Sequence, residues 1–291
     1  MRQKQKFPIA ILGTGNIGTD LLIKVMRSEV LECVLFAGRN LSSPGMTKAN
    51  LLGIPVSSKG INGISEAVSN ISLVFDATSA TDHIEHSKIF VELGIQAVDL
   101  TPAKVGTMCV PAVNLEDCLG LPNVNMVTCG GQASIPLACA ITAANRSVQY
   151  IETTSSIASR SAGPATRINL DEYLLTTETG LGLFSSCERT KAILNLNPAE
   201  PSVHMQTTVM AKILKPDLEA TQAKVTEMVS RIKHYVPGYH IILNPMIEND
   251  RLITTVGVTG LGDHLPKFAG NLDIINCAAI AYAEAYANRQ K

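Results

Sequence analysis

A cysteine followed by two glycines closes one apolar run and opens another in Asn123-Val-Asn-Met-Val-Thr-Cys129-Gly-Gly-Gln-Ala-Ser-Ile-Pro136. Val124 to Val127 reads as a short strand and Ala133 to about Arg146 as an alanine-rich helix, so Cys129 falls in the Thr-Cys-Gly-Gly turn between them. The unpaired N–H groups and positive end of that helix favour thiolate over thiol. Gly130 and Gly131 leave the main chain uncovered beside the sulfur, where N–H donors can meet the oxyanion that develops on a substrate carbonyl. Cys129 is therefore the candidate nucleophile. The alternative reading is a small buried cysteine in a tight strand-to-helix turn.

A second place for chemistry lies near the start. Phe7 to Leu12 is an apolar run without alternation, as in a central parallel strand, and it ends in Gly13-Thr14-Gly15-Asn16-Ile17-Gly18. Thr19 to Met26 follows with helical apolar spacing, which places a G-x-G-x-x-G between strand and helix. In that context Gly13 serves the tight turn, Gly15 lets the backbone approach a pyrophosphate on the helix N-terminus, and Gly18 allows close helix-on-strand packing. The competing reading is a mere glycine-rich turn. The next strand, Glu32 to Ala37, ends in Gly38-Arg39-Asn40, without the Asp or Glu that an NAD-preferring site usually carries there. Arg39 could stack on adenine or pair with a 2'-phosphate, which admits NADP beside NAD, or it could be an exposed loop arginine.

The elements that must position these residues alternate. Helical stretches near Met46 to Leu52 and Gly63 to Val68 lead to a buried strand beginning at Ser72 and closing in Asp76-Ala-Thr78-Ser79; a helix from about Asp82 to Leu93 precedes Gln96 to Pro102. Such alternation implies parallel βαβ units with ligands at the carboxyl ends of the strands, which puts Thr78, Ser79, Thr101 and Pro102 along a cofactor crevice. Asp76 and Asp99 close strands, where an Asp more often caps the next turn than binds metal. Cys109 to Asn114 reads as one more strand. Beyond Arg146 the pattern changes. Gln149 to Ala158 is rich in Ile, Thr and Ser, residues 161–169 form a small-residue loop, and Asn169 or Asp171 caps a helix through about Thr177. Ser202 to Leu214, Tyr239 to Pro245 and Arg251 to Val258 are strands that can pair antiparallel, and Asp217 is the N-cap of an amphipathic helix to His234. The expected organisation is a dinucleotide-binding domain over residues 1–130, with the last helix (271–291) packed back on it, and a catalytic and dimerisation domain over 131–270.

The bulk composition excludes several functions. With 291 residues, 46% of them hydrophobic and 17% charged, the chain can bury a sizeable core. A net charge of -1, no Trp, and only six Tyr and six Phe provide neither a basic stripe nor a stacking platform for nucleic acid. After the basic Met1-Arg-Gln-Lys-Gln-Lys6 the apolar run is too short for a signal peptide or a membrane span, so a cytoplasmic protein is expected. Seven cysteines, odd in number and without a C-x-x-C, suggest neither a disulfide framework nor a zinc site.

Seven segments together carry a family likeness: Thr14-Gly-Asn-Ile-Gly-Thr-Asp20, Val74-Phe-Asp-Ala-Thr-Ser-Ala80, Asp99-Leu-Thr-Pro102, the Asn123 to Gln132 run, Ser161-Ala-Gly-Pro164, Asn197-Pro-Ala-Glu-Pro201 and Phe268-Ala-Gly-Asn-Leu-Asp-Ile274. In this order, over essentially the whole chain, they resemble the acylating (CoA-dependent) acetaldehyde dehydrogenase family. The resemblance implies an α/β protein, a Rossmann domain followed by an α+β catalytic domain like that of glyceraldehyde-3-phosphate dehydrogenase. It places the acyl-thioester cysteine on Cys129. It places dinucleotide contacts on Thr14 to Ile17, on Ser161, Ala162, Gly163, Pro164, Ala165, Thr166, Arg167, Ile168 and Asn169, and on Asn271. The implied reaction is thiolate attack on a short aliphatic aldehyde, hydride transfer to NAD (with NADP admitted), and release of the acyl group to CoA, or the reverse. The implied partners are a second copy of the chain and, as in the catabolic members that serve aromatic hydrocarbon breakdown, 4-hydroxy-2-oxovalerate aldolase.

The chain departs from that pattern in two places. The family's acid-base Asp lies in Met-Arg-Asp-Thr; here the segment is Met205-Gln206-Thr207-Thr208, and a threonine hydroxyl cannot act as a base near neutral pH. Either another group, such as His264 or Glu172, takes the proton, or the acyl-transfer half is weak or altered. Ala165 also replaces a family glycine near the cofactor. Two alternatives follow: a CoA-independent semialdehyde dehydrogenase, and a non-catalytic nucleotide-binding subunit of an aldolase complex.

Overall fold

Phe7–Leu12 forms β1, and its last four residues are buried, as a strand covered on both faces requires. This is a computed structural model; it describes residues 6–290, the side chains of Pro164 and Ala165 excepted. Around β1 lie β2 (Leu31–Ala37), β3 (Val56–Ser57), β4 (Leu73–Asp76), β5 (Gln96–Asp99), β6 (Thr107–Met108) and β7 (Asn123–Asn125). All pair parallel, in the order β3-β2-β1-β4-β5-β7-β6. This is the doubly wound dinucleotide-binding order with the two-residue β6 added at one edge. The strand order reverses between β1 and β4, the switch point at which such sheets bind ligands.

Parallel strands need crossovers, and helices supply most of them: α1 (Asn16–Arg27), α2 (Pro44–Leu51), α3 (Ile61–Glu66), α4 (Ala80–Leu93) and α5 (Pro111–Cys118). On one face Ala10, Leu12, Leu35, Ala37, Val74 and Ala97 of the strands pack with Ile64 of α3 and Phe90 of α4. Each large side chain so buried contributes about 1.5–3 kcal/mol. The strand expected over Cys109 to Asn114 is not formed. Pro111 has no N–H to give a sheet ladder and instead starts α5, which kinks at Asn114 (φ -138, ψ 30).

The second unit, Val110–Asn114 with Val127–Ala278, is built on five strands. Its elements are α6 (Cys129–Ala144), β8 (Val148–Ala158), α7 (Pro164–Ile168), α8 (Leu170–Ser185), β9 (Thr190–Asn197), β10 (Met205–Ile213), α9 (Leu218–Lys233), β11 (Tyr239–Glu248), β12 (Arg251–Val258) and the first half of α10 (Gly270–Arg289). The sheet order is β11-β12-β10-β8-β9, antiparallel except for β8 beside β9. Alternation decides the faces. Ile151, Thr153, Ser155 and Ile157 of β8 and Met205, Thr207, Val209 and Ala211 of β10 are buried, on the side that α6, α8 and α9 cover, while the residues between them remain partly open. Asp217 caps α9 as its sequence implies, accepting from the Ala220 N–H.

Three local expectations need correction. The helix after Cys129 begins at the cysteine itself, four residues early, because Thr128 caps it. The 161–169 stretch is not an open loop: a 3₁₀ turn (Ser159–Ser161) and α7 occupy most of it. Finally, α8 continues past Thr177 to Ser185, since Thr176, Thr177 and Gly180, poor helix formers, are buried by packing that overrides propensity.

From Ala279 onward α10 belongs to the first unit. There Tyr282 accepts from Gln96 Nε2 (2.6 Å) and donates to the Cys118 carbonyl (3.0 Å), and Tyr286 meets Phe7 edge to face. Among the described residues no helix is long and apolar enough to cross a membrane.

Candidate active site

The turn that presents Cys129 is strained. Val127 has φ +58, a left-handed conformation that a β-branched residue adopts only at a cost of about 1–3 kcal/mol. Its side chain then lies so close that a Cβ on Gly131 would stand 2.8 Å from it, which explains a glycine at the third position of the helix. Thr128 closes the turn: its Oγ1 accepts from the Gly131 N–H (2.8 Å) and meets Thr177 Oγ1 (2.7 Å). Two further bonds tie down the first turn of α6. Ser134 donates to the Gly130 carbonyl (2.7 Å), and the buried Tyr239 of β11 donates to the Ala133 carbonyl (2.7 Å). Cys129 is thus the first residue of the helix, and the residue is half-buried.

A residue the sequence reading passed over completes this site. Tyr173 of α8 places its hydroxyl 3.5 Å from Cys129 Sγ, and the Gly130 N–H donates to the same oxygen at 2.9 Å. Only glycine fits at 130, because a Cβ there would collide with the Tyr173 hydroxyl and lie 3.1 Å from Ser155 Oγ. Glu172, the neighbouring candidate for the missing base, is solvent-exposed, and His264 lies half-buried in the bend after β12. The signal available in sequence was the helical period: a helix capped at Asn169 and packed by Tyr173, Thr176 and Thr177 turns the tyrosine, not the glutamate, inward.

The electrostatics reverse the expectation from the helix end. Burial pushes the Cys129 thiol up, against the opposing pull of the Tyr173 hydroxyl and the Gly130 N–H. Desolvation of the anion outweighs the dipole. Alkylation of Cys129 by iodoacetamide, followed by peptide mass, is therefore expected to keep accelerating from pH 7 to above pH 9. A plateau already reached at neutral pH would contradict that.

Behind the sulfur, on the helix-covered face of the sheet, Thr207 is fully buried and its Oγ1 lies 2.9 Å from Ser155 Oγ. The threonine at the place the resemblance gives to a carboxylate is therefore next to the cysteine's own neighbourhood, but it offers only a hydroxyl.

The first unit carries the glycine loop at the carboxyl end of β1. Gly13 has φ +109, and a Cβ there would meet the Ala77 carbonyl at 2.5 Å; one on Gly18 would collide with the Gly13 carbonyl. Gly15, by contrast, faces open space. Gly15, at the N-cap of α1, has no side chain to lay across the helix end, as the close approach of a pyrophosphate requires. Thr14 packs under the α2 cap through Ser43 (3.2 Å), while Asn16 is exposed and Ile17 half-buried. Arg39 is exposed.

At the end of β4, Thr78 donates through its N–H and hydroxyl to Asp76 Oδ1 (3.1 and 2.5 Å), and Ser79 caps α4 by accepting from the Asp82 N–H (3.1 Å). Asp99 likewise accepts from the Thr101 N–H (2.7 Å). Both aspartates thus cap turns, and both also face the buried His83: Nδ1 is 2.9 Å from Asp76 Oδ2, and Nε2 is 3.4 Å from Asp99 Oδ2.

In the second unit Ser161 is buried and donates to the Ala158 carbonyl (2.8 Å), and Ala162 is buried beside it. Arg167 folds back to the Ser159 and Ala162 carbonyls (3.0 and 3.1 Å), Thr166 is half-buried, and Ile168 stands 80% exposed. Gly163 has open space around it. The side chains of Pro164 and Ala165 lie outside the described residues. Asn169 caps α8 by position, without a side-chain bond to the helix amides. Asn271 is almost wholly buried with its Oδ1 unpartnered, an orphaned acceptor of the kind a bound cofactor amide would satisfy. The open glycine cradle of the first unit fits a pyrophosphate.

Comparison with known proteins shows the family of the chain. Residues 129–266 match a family described as "Prokaryotic acetaldehyde dehydrogenase, dimerisation". An acetaldehyde dehydrogenase of Spirochaeta aurantia is 58% identical over 279 residues, covering 96% of this chain and 94% of the relative. That of Pectobacterium atrosepticum is 57% identical over 282 residues (96% and 95%), and "Acetaldehyde dehydrogenase 2" of Salinispora arenicola is 50% identical over 277 (95% and 94%). With more than half of its residues shared along nearly its whole length, the chain belongs to the acetaldehyde dehydrogenase family.

Proposed function

We propose that this protein is a CoA-acylating, NAD(P)-dependent aldehyde dehydrogenase in which Cys129 carries the acyl group of a short aliphatic aldehyde. One observation carries the reading: a half-buried cysteine at the first position of a helix, with the Gly130 N–H and the Tyr173 hydroxyl beside its sulfur. Sulfur suits both halves of the reaction, being a soft nucleophile toward the aldehyde and a good leaving group from the thioester. The bound nicotinamide supplies the hydride acceptor. Gly13 to Gly18, Thr78 and Ser79 in the first unit, and Ser161 to Asn169 with Asn271 in the second, are the residues proposed to hold it. The test is a panel of aldehydes assayed with each nicotinamide cofactor, with and without CoA. Release of the acyl group as acyl-CoA, with no steady turnover when CoA is withheld, supports the reading, and acid release without CoA favours the one rival that Thr207 invites, in which water resolves the thioester.

Arg39 bears on cofactor choice. Exposed after β2, with no carboxylate at the strand end, it can pair with a 2'-phosphate. Arg39→Ala is expected to raise KM for NADP about tenfold while leaving KM for NAD within about twofold, since a surface charge-assisted phosphate contact is worth about 1–2 kcal/mol. Equal effects on both cofactors would remove Arg39 from the site.

Dimerisation fits the open face of the second sheet, where Ile193 and Ile242 are more than two-fifths exposed. An aldolase that releases acetaldehyde, such as 4-hydroxy-2-oxovalerate aldolase, completes the proposal as the supplier of substrate. Co-elution of the two proteins on size exclusion is its test.

A further inference from the structure

We propose that Tyr173 is a catalytic residue: its hydroxyl donates a hydrogen bond to Cys129 Sγ whenever that sulfur carries the anion, as nucleophile and again as leaving group, a task for which Thr207 offers no carboxylate. This rests on the reading of Cys129 as acyl carrier. Proton accounting fixes the direction of the bond. The Gly130 N–H donates into the Tyr173 hydroxyl oxygen (2.9 Å), so the phenolic proton must point elsewhere. Thr177 donates its hydroxyl proton to the Tyr173 carbonyl (2.7 Å), which leaves Thr128 to donate to Thr177 (2.7 Å). Thr128 Oγ1, which also bears on the tyrosine, accepts from the Gly131 N–H (2.8 Å) and keeps one acceptor position, so the phenolic proton has two neighbours, that hydroxyl and Cys129 Sγ at 3.5 Å; once the sulfur is ionised, its charge draws the proton. Burial, together with the charge of the cysteine, keeps the phenol protonated well above its ordinary range, so it acts as a donor and never as a base.

The role follows through both halves of the reaction. Sγ adds to the aldehyde carbon, forming a C–S bond and moving the carbonyl pair onto oxygen. A bound nicotinamide would supply the acceptor for the hydride of that carbon, which leaves the carbonyl restored as a thioester on Sγ. The CoA thiolate then adds, and the adduct collapses by breaking the Cys129 C–S bond, returning its electron pair to Sγ. Whenever the pair resides on Sγ, the Tyr173 O–H meets it and keeps its own proton; the proton that the Cys129 thiol loses before it adds passes to solvent.

The experiment uses the full-length enzyme. In Tyr173→Phe the iodoacetamide-labelling midpoint of Cys129 is expected to move up by about one pH unit or more, and kcat with acetaldehyde and CoA at pH 7 to fall about 10- to 100-fold, the measure of a hydrogen bond to a charged group. KM for the aldehyde should stay within about twofold. An unchanged midpoint with unchanged kcat overturns the proposal, because a merely structural tyrosine would not move the titration of the sulfur. Tyr173→Phe strips the Gly130 N–H of its acceptor, so a second variant guards against loss of folding: a ring-fluorinated tyrosine introduced at 173 keeps every heavy-atom contact and donates more strongly. Its labelling midpoint is expected below that of the natural enzyme, and an unchanged or raised midpoint overturns the proposal. An acyl adduct on Cys129 that persists while both variants behave like the natural enzyme would sink the role of Tyr173 alone; absence of the adduct in the natural enzyme would sink the underlying reading.

Discussion

Cys129→Ala is expected to lower kcat for CoA-dependent aldehyde oxidation on the order of 10⁴-fold or more, the scale on which enzymes lose rate when a covalent nucleophile is deleted. The fold should survive. Alanine is a good helix residue, the Thr128 cap on the Gly131 N–H involves no atom of the cysteine side chain, and the Tyr173 hydroxyl keeps its bond from the Gly130 N–H. Nucleotide binding by the first unit should also survive, since the glycine loop after β1 belongs to a separate unit. Isothermal titration of NAD beside steady-state kinetics would separate the two. Turnover unaffected by the substitution would mean that the chain binds nucleotide without carrying the acyl group.

The second large effect concerns stability. His83 is wholly buried between Asp76 and Asp99, and its Nε2 also meets the side-chain amide of Asn123 at 2.9 Å. His86, on the same helix, bonds Asp76 at 2.8 Å. Burial alone would raise the Asp76 carboxyl, but the hydrogen bonds from His83 and His86 overcome it and hold the group down at about 2. Burial would likewise lower His83, yet the bond to Asp76 and the charge of Asp99 raise it. Asp99 itself is pushed up to about 6 by burial, which the charge of His83 only partly offsets. The signs differ. The Asp76 contribution is fully present above the ordinary carboxylate value of about 3.9 and is lost as pH falls toward 2. That of His83 is fully present below the ordinary imidazole value of about 6.5 and is lost as pH rises through its raised folded value. Ionisation of Asp99 opposes folding, so stability falls as pH climbs from its ordinary value to about 6.

His83→Ala removes the cation between two buried carboxylates and is expected to cost about 3–5 kcal/mol at pH 6. It should also flatten the loss of stability that the natural protein shows above neutral pH. Urea midpoints at pH 5, 6.5 and 8 check both. A variant within about 1 kcal/mol of the natural protein at every pH would show that the histidine is neutral and inert in its place.

What was legible in the sequence was local. The glycine loop, the strand before it and the helix after it form a contiguous pattern, and their geometry follows from it: Gly13 at φ +109 and no capping side chain at Gly15. The cysteine between a strand and a helix was legible for the same reason, as was the Asp217 cap. Features made by tertiary contact were not. Tyr173 stands 44 residues from Cys129 and reaches it only because α8 packs against α6. The direction of the thiol shift was misread because a helix N-terminus is visible in sequence while the burial that outweighs it is not. His83 passed unnoticed within an ordinary amphipathic stretch, although the two aspartates that hold it were singled out. The strand β9 was missed because Thr190 to Asn197 gains its place only by pairing with β8. Cys109 to Asn114 failed as a strand for a local reason, the proline at 111.

Intact-mass spectrometry of the natural enzyme, incubated with acetaldehyde and NAD or NADP in the absence of CoA, reaches the centre of the account. A single acetyl adduct on Cys129, formed as nicotinamide is reduced and discharged when CoA is added, is the predicted result. Reduction of the nicotinamide with no adduct at that sulfur, or an adduct on any other of the cysteines, would contradict it.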